Sequence, residues 1–415
     1  TKHSSKRPRI LIGKDTRKSG DMLEAALTAG LCSMGAKVIP LGVVPTPAVA
    51  YLTRYYKADA GVVISASHNP CEYNGIKFFN SDGYKLSDGI EHEIESYILG
   101  EKAIEELPTH GKVGYVSANH NAVEDYVAFA VSTIDCRLDG MKIAVDCANG
   151  ASYETAFKAL NKLGANVEAI HNTPDGVNIN HMCGSTHMES LQAYVTSIGA
   201  DIGIAFDGDA DRMLAVDENG KLIDGDQIMA ACAKFMRDNG TLKQNTLVAT
   251  VMSNLGLFMA GEKIGINIPR TKVGDRYVLE EMLAKGYNIG GEQSGHIIFL
   301  DHNTTGDGLV SALQFLSVLK KTGMKASEAA SIVTVMPQVL RNAVVKLENK
   351  NSYMENEEIA AACKALEDEF AGEGRVLIRP SGTEPLVRVM IEGKDEEYIT
   401  KKAEELAELI EKILG

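Results

Sequence analysis

Residues 61–70 decide the fold, and they read GVVISASHNP. The apolar residues before Ser65 are typical of a buried parallel strand, and the Asn-Pro step prevents that strand from continuing. Ser67 therefore lies at the carboxyl end of a strand, which is the edge of an open α/β sheet where ligands bind. The other interpretation is a plain tight turn, because Ser, Asn and Pro are ordinary turn formers and His68 could cap it. We call residues 65–70 the Ser67 loop.

Two further stretches repeat this arrangement of strand and loop. Residues 200–212, ADIGIAFDGDADR, resemble residues 58–65, ADAGVVIS, and residues 287–296, YNIGGEQSGH, again place apolar residues and glycine before a polar loop. Three copies at a domain-sized spacing indicate a triplicated domain and not a solenoid. After the first copy, residues 73–83 predict a hairpin that brings Lys77 back toward the Ser67 loop.

The strands alternate with helical patterns through the three copies, which predicts α/β domains built on parallel sheets. From about residue 337 the pattern changes to that of a smaller C-terminal α+β domain. The fold class is therefore α/β with four domains. The predicted domains are residues 1–125 with the Ser67 loop, 126–221 with an acidic loop, 222–336 with the YNIGGEQSGH stretch, and 337–415.

Composition excludes several classes of partner. Of the 415 residues, 45% are hydrophobic and 24% are charged, which is typical of a soluble globular protein. A net charge of -14 argues against nucleic acid or an anionic membrane as the partner. No apolar run approaches a membrane span, and the N-terminal residues lack the apolar core of a signal peptide. Seven cysteines without a Cys-x-x-Cys pair fit a reducing cytoplasm better than disulfides or a zinc site.

The acidic loop predicts a metal site. Asp207, Asp209 and Asp211 alternate around a tight turn, so three carboxylates can face one cation, and such hard oxygen ligands suit magnesium. The spacing resembles the start of a calcium-binding EF-hand loop, but residues 213–216 are apolar and read as a buried strand. The alternative is an acidic surface turn. Magnesium on three carboxylates keeps open positions, one of which a phosphate on Ser67 could fill.

Two other loops carry groups suited to a sugar phosphate. Residues 379–383, RPSGT, offer a guanidinium, two hydroxyls and backbone N–H groups that can bind a phosphate dianion, with Arg388 on the adjoining strand. A polar hairpin turn is the alternative. In the third repeat, Glu292 and Ser294 could hydrogen-bond sugar hydroxyls. His296 could transfer a proton near neutral pH, although a lone histidine is as often structural.

These loops together carry a family resemblance. In this order, the Ser67 loop, residues 207–212, 291–296 and 379–385 resemble the four signature loops of the α-D-phosphohexomutase family, across essentially the whole chain. Within that family, residues 64–70 with Gln293, and the stretch VGDRYV, resemble the bacterial branch that acts on glucosamine phosphates. Relatives that act on mannose or glucose phosphates usually carry Met at the Gln293 position.

The resemblance implies four domains around a central active-site cleft, with Ser67 as a phosphoserine. Phosphoryl and proton transfer would involve Ser67, His68, Lys77 and His296. One Mg²⁺ per chain would be bound by Ser67, Asp207, Asp209 and Asp211. The substrate would be bound by Arg212, Glu292, Ser294, Arg379, Ser381, Gly382, Thr383 and Arg388.

The activity implied by the resemblance is isomerase activity: interconversion of glucosamine 6-phosphate and glucosamine 1-phosphate through a bisphosphorylated sugar, feeding UDP-N-acetylglucosamine and peptidoglycan precursor synthesis in the bacterial cytoplasm. Glucosamine 1,6-bisphosphate or a similar compound would act as activator, and a homodimer is one arrangement it allows. The alternatives are a phosphomannomutase or phosphoglucomutase of the same family, a serine-dependent metal phosphatase, and a sugar-phosphate sensor without turnover. The family's opening Thr-Asp-Gly-x-Arg-Gly stretch is missing before Thr1, so we expect that the natural start is absent.

Overall fold

The structure of the protein is a computed structural model. The residues that it describes divide into two compact units. The described residues are 7–104, 106–119, 121–381 and 384–415. The larger unit contains the residues up to 252 together with 265–332, and the smaller contains 253–264 together with 333–415. Among the described residues, no helix combines the length and the apolar character needed to cross a bilayer.

The first sheet of the larger unit has five strands in the order β4-β3-β1-β2-β5. In chain order its domain contains β1 (Arg9–Lys14), α1 (Ser19–Ser33), β2 (Lys37–Val43), α2 (Thr46–Tyr55), β3 (Ala60–Ile64), β4 (Ile76–Asn80), α3 (Asp88–Ile98) and β5 (Tyr115–Val116). Val62 and Ile64 of β3 are buried with Ile12 and Val38 of the neighbouring strands. All strand pairs are parallel except β3 with β4, where Lys77 lies opposite Val63. Lys77 therefore lies beside β3 as predicted, and the predicted turn at residues 80–83 is closed by an antiparallel bridge between Phe79 and Lys85.

The second sheet has the order β10-β9-β8-β6-β7. Its elements are α4 (Ala122–Ser132), β6 (Lys142–Asp146), α5 (Ser152–Lys162), β7 (Asn166–Ile170), α6 (Glu189–Ile198), β8 (Ile202–Phe206), β9 (Met213–Asp217) and β10 (Leu222–Ile223). Every residue of β8 and β9 is buried, and the two strands pair antiparallel. Residues 207–212, the aspartate loop, connect them, so the three carboxylates are held between two buried strands.

The third sheet has the order β12-β11-β13-β14. In chain order the elements are α7 (Gly225–Asp238), β11 (Val248–Thr250), α8 (Leu255–Ile264, part of the smaller unit), β12 (Arg270–Thr271), α9 (Asp275–Lys285), β13 (Ile289–Gly291), β14 (Ile297–Phe299), α10 (Gly308–Thr322) and α11 (Ala326–Ala330). Strands β13 and β14 pair antiparallel around residues 292–296. In each of the three sheets, a parallel strand leads into one of the predicted functional loops, and the strand after that loop pairs antiparallel with it. The sheets are therefore mixed, whereas the sequence pattern predicted parallel sheets.

The rest of the smaller unit is a three-stranded antiparallel sheet covered by helices. It contains β15 (Gln338–Val344), α12 (Glu357–Phe370), β16 (Arg375–Pro380), β17 (Leu386–Glu392) and α13 (Glu396–Leu414), with the strand order β15-β17-β16. Val387, Val389 and Ile391 of the central strand are buried with Ile399 and Ile410 of α13. This is the smaller C-terminal α+β domain that the sequence predicted.

Candidate active site

The Ser67 hydroxyl lies directly against the first aspartate of the aspartate loop. Ser67 Oγ donates to Asp207 Oδ2 at 2.6 Å, and the Ser67 backbone N–H donates to Ser65 Oγ at 3.0 Å. Ser67 has a left-handed backbone with φ of +52°, which is costly for a residue with a Cβ. The first and second repeats thus meet at two side chains that the sequence singled out separately.

The three aspartates are buried and form one cluster of oxygen ligands. Ligand oxygens of Asp207, Asp209 and Asp211 all lie within 4.8 Å of one another. Asp209 Oδ2 accepts hydrogen bonds from Thr46 Oγ1 and Lys77 Nζ, each at 2.6 Å. By contrast, the Oδ1 atoms of Asp209 and Asp211 are buried without a hydrogen-bond partner. Because an unpartnered buried carboxylate oxygen is unfavourable, this donor set fits a hard divalent cation such as Mg²⁺.

Charges around the cluster are only partly balanced. Burial, together with the neighbouring Asp211 and Asp209 carboxylates, raises the pKa of Asp207 well above its usual range. Burial would also raise the pKa of Asp211, but the positive charges of Lys77 and His296 hold it below its ordinary value. The Lys77 Nζ lies 3.6 Å from Asp211 Oδ2. The raised pKa of Asp207 shows that the three carboxylates disfavour one another's negative charge, and a bound cation would relieve that repulsion.

His296 is buried beside Asp211. Its Nδ1 lies 3.7 Å from Asp211 Oδ2, and its Nε2 lies 3.6 Å from Asp275 Oδ2 and accepts the Gly306 N–H at 3.2 Å. Burial would lower the pKa of His296, but the Asp211 carboxylate raises it above the ordinary value. A side chain at residue 306 would bring its Cβ within 2.4 Å of Nε2, so only glycine leaves room for the ring.

His68 and Arg212 flank the same cluster. His68 is exposed, and partial desolvation and the Arg212 charge lower its pKa. Arg212 Nε lies 3.9 Å from Asp211 Oδ1. Burial would lower the pKa of Arg212, but the carboxylates of Asp207 and Asp211 raise it. Both predicted residues therefore lie in the electrostatic field of the aspartate loop.

Residues 292–296 contact the first residue of β9, directly after the aspartate loop, because Met213 N donates to Gly295 O at 3.0 Å. Glu292 is half-buried, and its Oε1 accepts the Gly274 N–H at 3.0 Å; Ser294 is exposed. Gln293, the residue that marked the glucosamine branch, donates to Asp224 Oδ2 at 3.0 Å. Its described contact is thus with the N-cap of α7.

In the smaller unit, basic side chains gather at the hairpin of β16 and β17. Arg379 and Arg388 are directly opposite each other across the two strands. Burial and the Arg388 charge lower the pKa of Arg379. Lys350 Nζ donates to Ser381 O at 3.0 Å. Like charges in a cross-strand pair are destabilising, so this arrangement suits an anion. Gly382 and Thr383 lie outside the described residues.

Three side chains that sequence reasoning missed also contact the site: Arg17, Thr46 and Asn180. Arg17 and Asn180 both donate to the Ser67 carbonyl, and Thr46 donates to Asp209. Arg17 follows β1, the sheet neighbour of β3, so its position at the same sheet edge could have been inferred from strand order. No local signal distinguished Asn180.

A second cluster does not have the same character. Ligand atoms of Asp146, His171 and Cys183 also lie within 4.8 Å of one another. However, both oxygens of Asp146 are already satisfied, by the backbone N–H groups of Ala148 and Gly184 and by His171 Nδ1 at 2.9 Å. We therefore assign no site to it.

Comparison with known proteins places this geometry in a family. Family models of the phosphoglucomutase/phosphomannomutase domains match alpha/beta/alpha domain I at residues 1–105, domain II at 123–220, domain III at 224–336 and the C-terminal domain at 343–409. The chain belongs to the α-D-phosphohexomutase family. The resemblance and the four-domain fold class expected from the sequence are thereby confirmed.

Two curated relatives of high identity are both named phosphoglucosamine mutase. A phosphoglucosamine mutase of Ruminiclostridium cellulolyticum is 63% identical over 99% of this chain and 91% of its own length. A phosphoglucosamine mutase of Acetivibrio thermocellus is 62% identical over 100% and 92%.

Solved structures of the family share the fold at lower identity. A phosphoglucomutase/phosphomannomutase family protein from Burkholderia thailandensis superposes with a TM-score of 0.80 at 22% identity, covering 97% of this chain and 89% of its own. Aspergillus fumigatus N-acetylphosphoglucosamine mutase, solved in complex with GlcNAc-6P and magnesium, gives a TM-score of 0.69 at 19% identity, covering 89% and 93%.

Proposed function

We propose that this α-D-phosphohexomutase interconverts glucosamine 6-phosphate and glucosamine 1-phosphate, with Ser67 as the carrier of the phosphoryl group. The observation that carries the proposal is the 2.6 Å contact between Ser67 Oγ and Asp207, at a buried cluster of three carboxylates. Relatives about 60% identical over nearly the full length of this chain are named phosphoglucosamine mutases, which supports the choice of an amino sugar.

In this proposal, phosphorylated Ser67 donates its phosphoryl group to the free hydroxyl of the bound sugar phosphate, and the Ser67 oxygen leaves. The resulting bisphosphate reorients, and its other phosphate returns to Ser67. Asp207, Asp209 and Asp211 would hold Mg²⁺, which stabilises negative charge on the transferring group when bound.

The remaining predicted residues bind and orient the sugar. Glu292 and Ser294 contact its hydroxyls, and Arg379 and Arg388 bind the phosphate that is not reacting. Arg212, Ser381, Gly382 and Thr383 complete the phosphate and sugar contacts. His68, Lys77 and His296 act on the proton of the attacking hydroxyl or on the transferring phosphate. A cytoplasmic location, a homodimer and activation by a hexosamine bisphosphate stay predictions.

A substrate comparison tests the proposal. We expect kcat/KM for glucosamine 1-phosphate to exceed the values for glucose 1-phosphate and mannose 1-phosphate, each measured with the corresponding 1,6-bisphosphate present. A Ser67→Ala variant should lose all turnover. A preference for glucose or mannose phosphate would assign the chain to another branch of the family. If the wild-type protein binds all three sugar phosphates but converts none of them, it is a sensor.

A further inference from the structure

Two backbone carbonyls of the Ser67 loop each receive hydrogen bonds from two directions. Ser67 O accepts from Arg17 Nη2 at 2.9 Å and from Asn180 Nδ2 at 2.8 Å. Asn69 O accepts from the same two nitrogens, at 2.8 Å and 3.0 Å. Arg17 follows the first strand of the first sheet, and Asn180 lies on a loop of the second domain. The Ser67 loop is thus held by both domains at the same two atoms.

Every side-chain nitrogen of Arg17 has a partner in or beside this loop. Its Nη1 donates to the carbonyls of Pro70 and Tyr73, and its Nε lies 2.8 Å from Asp15 Oδ2. Asp15 Oδ2 in turn accepts the Ser65 hydroxyl at 2.5 Å. The side chains of Arg17 and Asp15 are both fully buried. A buried ion pair is unfavourable unless its remaining donors are satisfied, and the partners around Arg17 satisfy them while holding the guanidinium in one position.

The loop needs such support because of its backbone. The left-handed φ of +52° at Ser67 is unfavourable for a residue with a Cβ and persists only where surrounding contacts impose it. Space beneath the loop is closed as well: a Cβ on Gly208 would lie 2.6 Å from both Ser67 O and Asn180 Nδ2. With its carbonyl fixed, Ser67 directs its hydroxyl to Asp207.

We propose that Arg17 and Asn180 form a carbonyl clamp, which positions the phosphoryl-carrying Ser67 against the aspartate loop. Neither side chain is assigned contact with the substrate, so both are positioning residues that act through Ser67. This inference rests on the proposed function, because it concerns the rate at which Ser67 accepts and donates a phosphoryl group.

The test uses Arg17→Lys, Asn180→Ala and the double variant. The matched control is Arg54→Lys, which alters a half-buried arginine of the same domain that donates to Asn303 at 2.7 Å. The phosphate content of Ser67 is followed by intact mass after mixing dephosphorylated protein with glucosamine 1,6-bisphosphate. Magnesium affinity is measured by calorimetry, and stability is measured by thermal unfolding.

Each single variant should slow phosphate uptake at saturating bisphosphate on the order of a hundredfold, because a misplacement of about 1 Å has that effect on an aligned reaction. Half-saturating bisphosphate and magnesium affinity should stay within about twofold of the Arg54→Lys values, since the aspartate loop is intact. The double variant should lose less than the product of the single losses, because both side chains hold the same carbonyls.

Several outcomes would overturn the clamp. Uptake by the Arg17 and Asn180 variants at the Arg54→Lys rate would do so, and so would a parallel loss of magnesium affinity, which would indicate general disruption. If Arg17→Lys does not fold, Asn180→Ala carries the test alone, because it removes the clamp contacts from the second domain without leaving a charge unpaired, and a wild-type uptake rate in that variant would again overturn the proposal. If the wild-type protein takes up no phosphate from the bisphosphate, the proposed function itself is wrong.

Discussion

Replacement of Lys77 by methionine should strengthen magnesium binding by the aspartate loop. Lys77 Nζ lies 2.6 Å from Asp209 Oδ2 and 3.6 Å from Asp211 Oδ2, so its ammonium neutralises two carboxylates that a metal ion would use. The Lys77 side chain is 26% exposed, so the solvent screens these pairs only in part. Methionine keeps an unbranched side chain of similar length and removes the charge.

The size of the effect follows from Coulomb's law. Two unit charges about 4 Å apart interact with roughly 4 kcal/mol at an effective dielectric constant of about 20. The lysine side chain can swing toward solvent when a metal ion binds, so we expect only about one to two thirds of one such interaction to oppose binding. That share, roughly 1.3 to 2.7 kcal/mol, corresponds to an affinity about tenfold to about a hundredfold higher in the variant.

Titration calorimetry with MgCl₂ measures this change directly, with Ser67 verified as unphosphorylated. Lys14→Met is the matched control, because Lys14 belongs to the same domain and also pairs with two acids, Asp21 and Glu24. Its removal should leave magnesium affinity unchanged. If Lys77→Met binds magnesium no more tightly than Lys14→Met, then either the aspartates are not the metal site or Lys77 does not compete for them.

Three further predictions concern other parts of the chain. Gly208→Ala should lower the free energy of unfolding in urea by about 1 to 3 kcal/mol, because the added methyl group meets Ser67 O and Asn180 at 2.6 Å; an unchanged midpoint would show that the loops separate freely. Arg379→Ala should raise KM for both sugar phosphates and lower kcat, with a loss in kcat/KM of roughly thirtyfold to a thousandfold that Arg379→Lys recovers only in part. If KM and kcat change little in either direction of the reaction, residues 379–383 form only a turn. The hydrogen bond with Asp146 raises the pKa of His171, so its stabilising contribution is present below about pH 6.5 and is lost as the pH rises through the raised value; His171→Gln should therefore destabilise the protein more at about pH 5.5 than at about pH 8, and an equal loss at both would exclude this linkage.

The sequence alone indicated those candidate site residues whose role depends on their spacing from a neighbouring strand. Ser67 and the three aspartates each stand directly after a buried strand, and loops at the carboxyl ends of parallel strands share one sheet edge. The repeated pattern of strand and loop also predicted the triplicated domain. The hairpin that carries Lys77 was readable from its turn residues, and the structure places Lys77 at the aspartates.

The hydrogen bonds of the supporting side chains could not be predicted, because their partners are far away in sequence, although strand order indicates the sheet edge at which Arg17 lies. Arg17 and Ser67 are 50 residues apart, and Asn180 and Ser67 are 113 apart. Their bonds are to backbone carbonyls, which leave no pattern in the sequence. Gln293 differs from these side chains, because the resemblance used it to indicate the glucosamine branch of the family. In the structure its side chain donates a hydrogen bond to Asp224, at the start of α7.

The most direct test of the central claim is the location of phosphate on the purified protein. Intact mass followed by peptide fragmentation, before and after incubation with glucosamine 1,6-bisphosphate, reads this out without any assumption about turnover. We expect a single phosphate on Ser67 that is gained from the bisphosphate, is lost to glucosamine 6-phosphate, and is absent from Ser67→Ala. A protein that turns over glucosamine phosphates while Ser67 never carries phosphate would contradict it.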